Sequence, residues 1–244
     1  MTVIQRPESE ARIAAMFDRI AGRYDFLNRL LSLRQDQRWR RELTRRIPYR
    51  PGGRFLDVAT GTGDVLEQVR FAHREYEMMA GVDISGEMLA LAQAKLGGQA
   101  GDAVRGPLAP VEFHRRSAET LGFADASFDA LSIAFGLRNV VRKDKALDEF
   151  QRVLKPGGSL LILEFFMPRR GLLAALFQLY FHTILPAIGG LVSDRAAYKY
   201  LPQSVGSFYA PEQMRTVLAA RGFRIDEVKN FLFGACRLVQ ATKR

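Results

Sequence analysis

Two glycines in the segment DVATGTGD are placed where a turn brings the backbone close to a ligand. Gly61 and Gly63, with Thr62 between them, follow an apolar run and precede a helical pattern that begins near Val65. Glycine lets the chain turn tightly and approach a ligand, and the N-terminus of the next helix points at the same place. Leu66 stands where a dinucleotide-binding fingerprint has its third glycine, and no Gly-Lys-Ser/Thr triplet follows. The segment predicts a ligand-binding turn, but neither a nicotinamide-dependent dehydrogenase nor a P-loop.

Polar or small residues follow three further apolar runs. Asp83 closes the second run, where a carboxylate can accept hydrogen bonds from both hydroxyls of a ribose. Ser117 and Ala118 follow the third run, and Ala134 ends the fourth. Open α/β sheets bind ligands in the crevice beyond the carboxyl ends of their strands. An acid such as Asp83, taken alone, has the ordinary interpretation of a helix cap or a surface charge. Polar or small residues at four successive strand ends, however, predict one crevice that holds a nucleoside.

The elements that must position these residues alternate between strands and helices. Apolar runs predict strands at residues 54–59, 79–84, 111–115, 128–134, 159–165, 223–229 and 231–242. Helical periodicity follows the first two runs, precedes a Pro-Gly-Gly terminator at 156–158 and recurs at 211–221. The predicted fold is α/β: a seven-stranded, Rossmann-like, mostly parallel sheet with a C-terminal antiparallel hairpin, plus N-terminal helices and an apolar helical insertion before the last strands.

That insertion breaks the alternation. Residues 171–192 contain no Asp, Glu, Lys or Arg and are long enough to span a bilayer. Gln178, His182 and Pro186 interrupt the apolar run, and the flanking charges give no orientation bias. We expect two apolar helices, broken at Pro186, that cover an apolar pocket. Residues 97–110, rich in glycine, alanine and proline, predict a surface loop.

Composition and charge exclude several classes of protein. The 244 residues are 48% hydrophobic and 25% charged, which excludes wholesale disorder. With Cys236 as the one cysteine and three well-separated histidines, we expect no disulfide framework and no metal. The N-terminal residues lack the apolar stretch of a secretory signal, so a cytoplasmic protein is expected. The net charge is +10, and residues 34–50 hold seven arginines, which suits nucleic acid, an anionic membrane or simply a solvated helix face.

The turn, the strand ends and residues 121–129 (LGFADASFD) resemble the class I S-adenosylmethionine-dependent methyltransferases over about residues 54–165. Further motifs are similar to the C-methyltransferases of ubiquinone and menaquinone biosynthesis. They are residues 24–32 (YDFLNRLLS) with Trp39, 135–139 (FGLRN), 152–165 (RVLKPGGSLLILEF), Asp194, 198–201 (YKYL) and Ser204. The resemblance implies a single methyltransferase domain over residues 1–244. It comprises an N-terminal helical lid (1–50), a cofactor-binding core (54–165), a substrate-covering helical insertion (166–208) and a C-terminal helix and hairpin (209–244).

Carried over residue by residue, the resemblance implies that S-adenosylmethionine is the methyl donor and that no metal takes part. The implied donor contacts are Gly61, Thr62, Gly63, Asp83, Ser117, Ala118 and Ala134. Four positions depart from the family pattern. Arg34 replaces a common glycine, Phe166 a common serine and Ser117 an expected asparagine, and Ala134 replaces a serine that usually contacts the donor. Any hydrogen bond from that serine hydroxyl is lost here.

The implied reaction is methylation of a ring carbon on a polyprenylated quinol, demethylmenaquinol or the ubiquinone precursor. A sulfonium methyl is already activated, so the enzyme must align the ring carbon with it. A cation beside the neighbouring hydroxyl lowers its pKa and stabilises the developing charge. Arg138, with Asn139, is the candidate for this catalytic role. The alternative for Arg138 is a structural ion pair with an acid such as Asp144.

Substrate-binding candidates come from both flanking regions. Tyr24 and Asp25 are expected to fold over the pocket as an N-terminal lid, the alternative being a helix that merely packs. His182 is a candidate proton shuttle for the quinol, the alternative being a core or pocket-lining histidine.

A membrane-borne quinol implies a partner surface. We expect peripheral contact with an anionic membrane at its inner face, through the arginines of residues 34–50 and the apolar residues 171–192. No nucleic acid is expected because no RNA-binding module is visible, and a homodimer stays open. Two alternatives are a methyltransferase acting on RNA or another small molecule, and a noncatalytic cofactor-binding protein at the membrane surface.

Overall fold

Seven strands form one mixed sheet in the order β3-β2-β1-β4-β5-β7-β6. The computed structural model describes residues 9–97, 107–167 and 195–244. The strands are β1 (Arg54–Val58), β2 (Met78–Asp83), β3 (Val111–Arg115), β4 (Phe128–Ala134), β5 (Leu154–Phe165), β6 (Phe223–Phe231) and β7 (Cys236–Lys243). The first five run parallel, and β7 pairs antiparallel with both β5 and β6. The predicted seven-stranded sheet with a terminal antiparallel hairpin is confirmed.

Helices connect the strands and cover the sheet. They are α1 (Glu10–Leu31), α2 (Gln35–Thr44), α3 (Asp64–Ala72), α4 (Gly86–Gly97), α5 (Lys143–Val153), α6 (Arg195–Gly206) and α7 (Pro211–Ala220). The helix α5 follows the predicted apolar stripe, with Leu147, Phe150 and Val153 fully buried. Pro211 begins α7, and Gln213 caps it by accepting a 2.8 Å hydrogen bond from the Ala210 amide.

The strand β5 shows how the core divides into two layers. Its side chains alternate, so Leu160 and Ile162 pack with α5 on one face, whereas Leu161 and Leu163 pack with α2 and α3 on the other. All four are fully buried. A strand that is apolar on both faces is typical of a sheet covered by helices on both sides. This packing fixes the carboxyl ends of the parallel strands at one edge.

Two predicted boundaries are wrong. The helix before Pro156 ends at Val153, and β5 begins at once at Leu154, because residues 155–158 form an irregularity within the strand. The strand β7 begins at Cys236, because residues 232–234 form a short 3-10 turn.

Some predictions fall outside the described residues. They concern His182, Asp194, most of the 97–110 loop and the apolar stretch 171–192. Within the described ranges, no helix combines the length and the apolar character needed to cross a membrane.

Candidate active site

A cleft lies beyond the carboxyl ends of β1 to β4 and opens to solvent. The space between its walls, counted out to the open solvent at its mouth, is about 660 Å³. Its lining includes five of the predicted donor contacts, namely Gly61, Asp83, Ser117, Ala118 and Ala134. It also includes the lid candidate Tyr24 and the catalytic candidate Asn139. The strand ends thus meet as the sequence predicts.

The turn after β1 has the backbone that its glycines predict. Gly61 and Gly63 have φ values of 56° and 82°, in the left-handed region that favours glycine. A Cβ atom on Gly63 would lie 2.9 Å from Cδ1 of Leu96 and 3.2 Å from Cβ of Ala92 in α4, so α4 must shift to admit a side chain there. The Gly61 amide donates a 2.9 Å hydrogen bond to Oδ2 of Asp83 and thereby joins the turn to the end of β2.

Asp83 is held ready to accept further hydrogen bonds. Its Oδ1 accepts from the Ser85 amide at 2.9 Å, and burial raises the pKa of the carboxyl while the backbone donors at Ser85 and Gly61 oppose that shift. Each carboxylate oxygen can accept more than one hydrogen bond. Because Asp83 also lines the cleft, it can accept from the two hydroxyls of a ribose. A nucleoside therefore fits this edge of the cleft.

The hydroxyls after β1, β2 and β3 each bond to an acid of α1. Thr62 Oγ1 donates to Asp25 Oδ1 at 2.6 Å, and Ser85 Oγ donates to Asp18 Oδ1 at 2.5 Å. The Ser117 hydroxyl likewise donates to the carboxylate of Glu10. The helix α1 therefore lies across three strand ends and covers the cleft.

Two predicted donor contacts, Thr62 and Ser117, thus direct their hydroxyls to the helix. The Thr62 side chain lines a smaller adjoining cavity together with Asp57, Gly61 and Ala134, and its hydroxyl is directed to Asp25. The ring of Tyr24 lines both cavities and packs edge-on against Phe17, with ring centroids 6.0 Å apart.

Arg138 and Asn139 lie in a 3-10 turn directly after β4. Arg138 Nη1 donates to Oε1 of Glu164 at 2.6 Å and to the carbonyl of Phe135. The ion pair raised as the alternative for Arg138 is present, but its acid is Glu164, whereas Asp144 pairs with Arg221 at 3.0 Å. Glu164 is fully buried in β5, so the pair is desolvated.

Two buried polar atoms of this turn have no hydrogen-bond partner among the described residues. They are Nε of Arg138 and Oδ1 of Asn139. The Asn139 amide nitrogen donates at 3.3 Å to the Phe135 carbonyl, and Asn139 itself lines the cleft. Buried polar groups are nearly always paired, so an orphaned acceptor on a cleft residue indicates a place for a ligand donor.

Sequence reasoning missed Asp57, at the end of β1. Its carboxylate is buried and accepts hydrogen bonds from Thr60 Oγ1 at 2.7 Å and from the Ser132 hydroxyl. Burial raises its pKa to about 6, although these hydroxyls and Arg40 act in the opposite direction. The available signal was an aspartate inside an otherwise apolar run, RFLDVA. The acids Glu10 and Asp18 of α1 were missed as well, and no local pattern marks them.

The sequence profile of the ubiE/COQ5 methyltransferase family matches residues 5–243. The chain belongs to this family. It is 43% identical over 236 residues to the ubiquinone/menaquinone biosynthesis C-methyltransferase UbiE of Geotalea daltonii, covering 97% of this chain and 98% of that one. It is 43% identical over 211 residues to the demethylmenaquinone methyltransferase of Thermus thermophilus, covering 86% and 92%. The expected family is confirmed.

Solved structures share the fold at low identity. A SAM-dependent methyltransferase from Aquifex aeolicus gives a TM-score of 0.59 at 20% identity, covering 97% of this chain and 100% of that one. The [4+2]-cyclase SpnF gives 0.66 at 18% identity, covering 97% of each chain. Because the second is a cyclase, the fold alone does not determine the reaction. Membership of the ubiE/COQ5 family does, and it makes this chain an S-adenosylmethionine-dependent methyltransferase. Both alternatives raised from the sequence are thereby disfavoured.

Proposed function

We propose that this protein transfers the methyl group of S-adenosylmethionine to a ring carbon of a polyprenylated quinol, with demethylmenaquinol as its first acceptor. The observation that carries the proposal is the near-complete alignment with relatives that bear this function in their names. The ubiquinone precursor is the second acceptor. In the overall reaction the methyl group replaces a ring hydrogen, which leaves as a proton.

The donor supplies a methyl group that its sulfonium charge has already activated. In this proposal Asp83 binds the ribose hydroxyls, and Gly61 lets the backbone approach the donor without a side chain in the way. Ala118 and Ala134 contribute small side chains to the lining and so leave room for the nucleoside.

The acceptor is oriented by the 3-10 turn after β4. Asn139 Oδ1 accepts a hydrogen bond from the quinol hydroxyl, because that atom is buried on a cleft residue and lacks a partner in the described chain. Arg138 does not itself line the cleft, so its positive charge acts at longer range on the charge that develops on the oxygen as it ionises. Arg138 is held in place for this by Glu164. A guanidinium stays protonated, so water or another side chain takes the proton.

The test supplies labelled S-adenosylmethionine with demethylmenaquinol or the demethylated ubiquinone precursor, each with a short tail so that no membrane is required. We expect label on the ring of the naphthoquinol. The oxidised quinone serves as the control and accepts none, because its ring is electron-poor. Binding of S-adenosylhomocysteine without transfer to either quinol would remove the proposal.

We propose peripheral contact with an anionic membrane as part of the same function. Arg34, Arg38, Arg41 and Arg45 are all exposed and recur at helical spacing, so they share one face of α2. Each such charge near anionic lipid contributes about 1 kcal/mol. We expect flotation with vesicles rich in phosphatidylglycerol at 50 mM salt and release at about 500 mM, where the charges are screened. No flotation at low salt would exclude the contact.

A further inference from the structure

Two exposed apolar sites stand at turns between elements. Leu33, between α1 and α2, is 81% exposed. Phe233 and Leu232, between β6 and β7, are 84% and 49% exposed. Single exposed apolar residues need no explanation, but several large ones at one end of a molecule indicate an interaction surface.

Contacts between α2 and β6 place these two turns at the same end of the molecule. Helix α2 and strand β6 run antiparallel. Their contacts are Arg46, just after the C-terminal end of α2, with Glu227 (2.7 Å), then Glu42 with Lys229 (2.6 Å), and then Trp39 with Phe231 at the end of β6 (ring centroids 6.0 Å apart). The start of α2 and the end of β6 therefore point the same way. Since Leu33 precedes that start and Leu232 follows that end, the two turns lie at the same end of the molecule.

Strand register places this end beside the cleft. Cys236 pairs with both Phe165, at the carboxyl end of β5, and Phe231, at the end of β6. Leu163 of β5 pairs with Ala134, which lines the cleft at the end of β4. The apolar turns thus lie at the edge of the sheet where the cleft opens.

Positive charge adjoins these apolar side chains. Arg34 follows Leu33 directly and is exposed, and Arg38 lies one helical turn further along the same face. Apolar side chains bordered by arginines complement a bilayer interface, in which acyl chains lie beneath anionic headgroups.

We propose that Leu33, Leu232 and Phe233, here called the apolar prongs, insert into the acyl region of an anionic bilayer and hold the mouth of the cleft against it. The inference rests on the proposed function, because that function provides an acceptor dissolved in the bilayer. Arg34 and Arg38 lie at the level of the lipid phosphates. The prongs let a polyprenylated quinol pass from the bilayer to the cleft without crossing water.

The test compares a prong variant with a matched control. Leu232→Ser with Phe233→Ser removes one pair of prongs. Phe71→Ser removes an aromatic side chain that is 44% exposed near the end of α3, which runs back from the cleft edge toward the opposite edge. Partition onto equimolar phosphatidylcholine and phosphatidylglycerol vesicles is measured by flotation. We expect the prong variant to partition about tenfold more weakly and Phe71→Ser to match the unaltered protein.

A second measurement reports insertion directly. Phe233→Trp is expected to shift to bluer emission with vesicles and to be quenched by brominated acyl chains, whereas Phe71→Trp is not. Trp39 is buried and supplies a constant background. Light scattering without lipid tests the other occupant, a second copy of this chain.

These outcomes separate the two proposals. Equal partition of the prong variant and the unaltered protein, or loss of a dimer in the prong variant, overturns the insertion and leaves the methylation untouched. Failure to methylate a short-tailed quinol, with insertion intact, overturns the methylation instead. Methylation of the short-tailed quinol is expected to be equal in all these variants.

Discussion

Thr62 in the turn after β1 donates a 2.6 Å hydrogen bond to Asp25 in α1. The same carboxylate lies 3.3 Å from Lys95 of α4. Glu10 and Asp18 repeat this contact at the ends of β3 and β2, so one helix is fastened over three strand ends. A methyl donor that reaches Asp83 must pass beneath α1. These hydrogen bonds hold α1 over the cleft and therefore oppose both the entry and the release of the donor.

Asp25→Ala is expected to raise both the association and the dissociation rate of S-adenosylhomocysteine, each about three- to tenfold. The reason is the loss of a charge-assisted hydrogen bond that is partly exposed. The equilibrium constant changes less, because Asp25 does not line the main cleft. Surface plasmon resonance measures both rates.

Asp226→Ala is the matched control for this change. Asp226 also accepts from a threonine hydroxyl, Thr242, at 2.6 Å and pairs with an arginine, Arg224, but it lies in β6 away from α1. Its removal leaves both rates unchanged. Identical rates in the Asp25 and Asp226 variants would mean that α1 does not gate the cleft.

The desolvated pair of Arg138 and Glu164 complicates any test of catalysis. Arg138→Ala alone leaves a buried carboxylate without its cation, which is expected to destabilise the fold by about 3 kcal/mol. The double change Arg138→Met with Glu164→Gln leaves no buried charge there. We expect it to recover most of the free energy of unfolding, measured with urea, yet to lack methyl transfer.

That comparison separates support of the fold from catalysis. Binding of S-adenosylhomocysteine is expected to survive in the double variant, because neither side chain lines the cleft. Restored methyl transfer in the double variant would show that the charge of Arg138 is dispensable. Arg138 would then be a structural residue alone.

The cleft residues that directly follow an apolar run could be predicted from the sequence. The glycine turn, Asp83 and the turn after β4 each follow an apolar run, and parallel strands bring such ends together. The partner of Arg138 was not predictable in this way. Asp144 is closer along the chain, but α5 carries it to Arg221, whereas the pairing of β4 with β5 brings Glu164 beside Arg138.

The acids of α1 were beyond sequence reasoning for a similar reason. Their contacts join positions far apart in the chain, and an acid on a helix ordinarily faces solvent. The Pro-Gly-Gly triplet was predicted to end the helix, but the helix ends earlier, at Val153, and the triplet lies within β5. The triplet forms an irregularity within β5. The strand begins before it because Leu154, on the N-terminal side of the triplet, already pairs with Phe128 of β4.

Gly63→Ala tests the turn after β1. The change combines an unfavourable φ of 82° with a Cβ atom 2.9 Å from Leu96 and is expected to destabilise the fold by about 2–4 kcal/mol. Gly52→Ala is the matched control, since Gly52 has a φ of 67° but nothing within 4 Å of the added carbon. Its cost is about 1 kcal/mol from the backbone alone. Equal costs in urea unfolding would show that α4 yields to the added methyl group.

The carboxyl of Asp57 makes stability depend on pH. Burial raises its pKa to about 6 in the folded protein, whereas an aspartate in an unfolded chain titrates near 4. The folded state therefore holds the proton more tightly, so the contribution is fully present below about pH 4 and is lost as the pH rises through about 6. The full difference corresponds to roughly 3 kcal/mol.

Asp57→Asn removes this titration while keeping the shape of the side chain. Its hydrogen bonds to Thr60 and Ser132 can persist, because hydroxyls both donate and accept. From pH 4 to pH 7 we expect the free energy of unfolding of Asp57→Asn to gain up to about 3 kcal/mol on that of the unaltered protein, in urea titrations at each pH. Groups remote from Asp57 titrate alike in both proteins and cancel in the difference, whereas Asp83 interacts with the Asp57 charge. A difference that stays flat across this range would mean that Arg40 and the two hydroxyls keep the buried carboxylate charged, and that burial does not dominate its pKa.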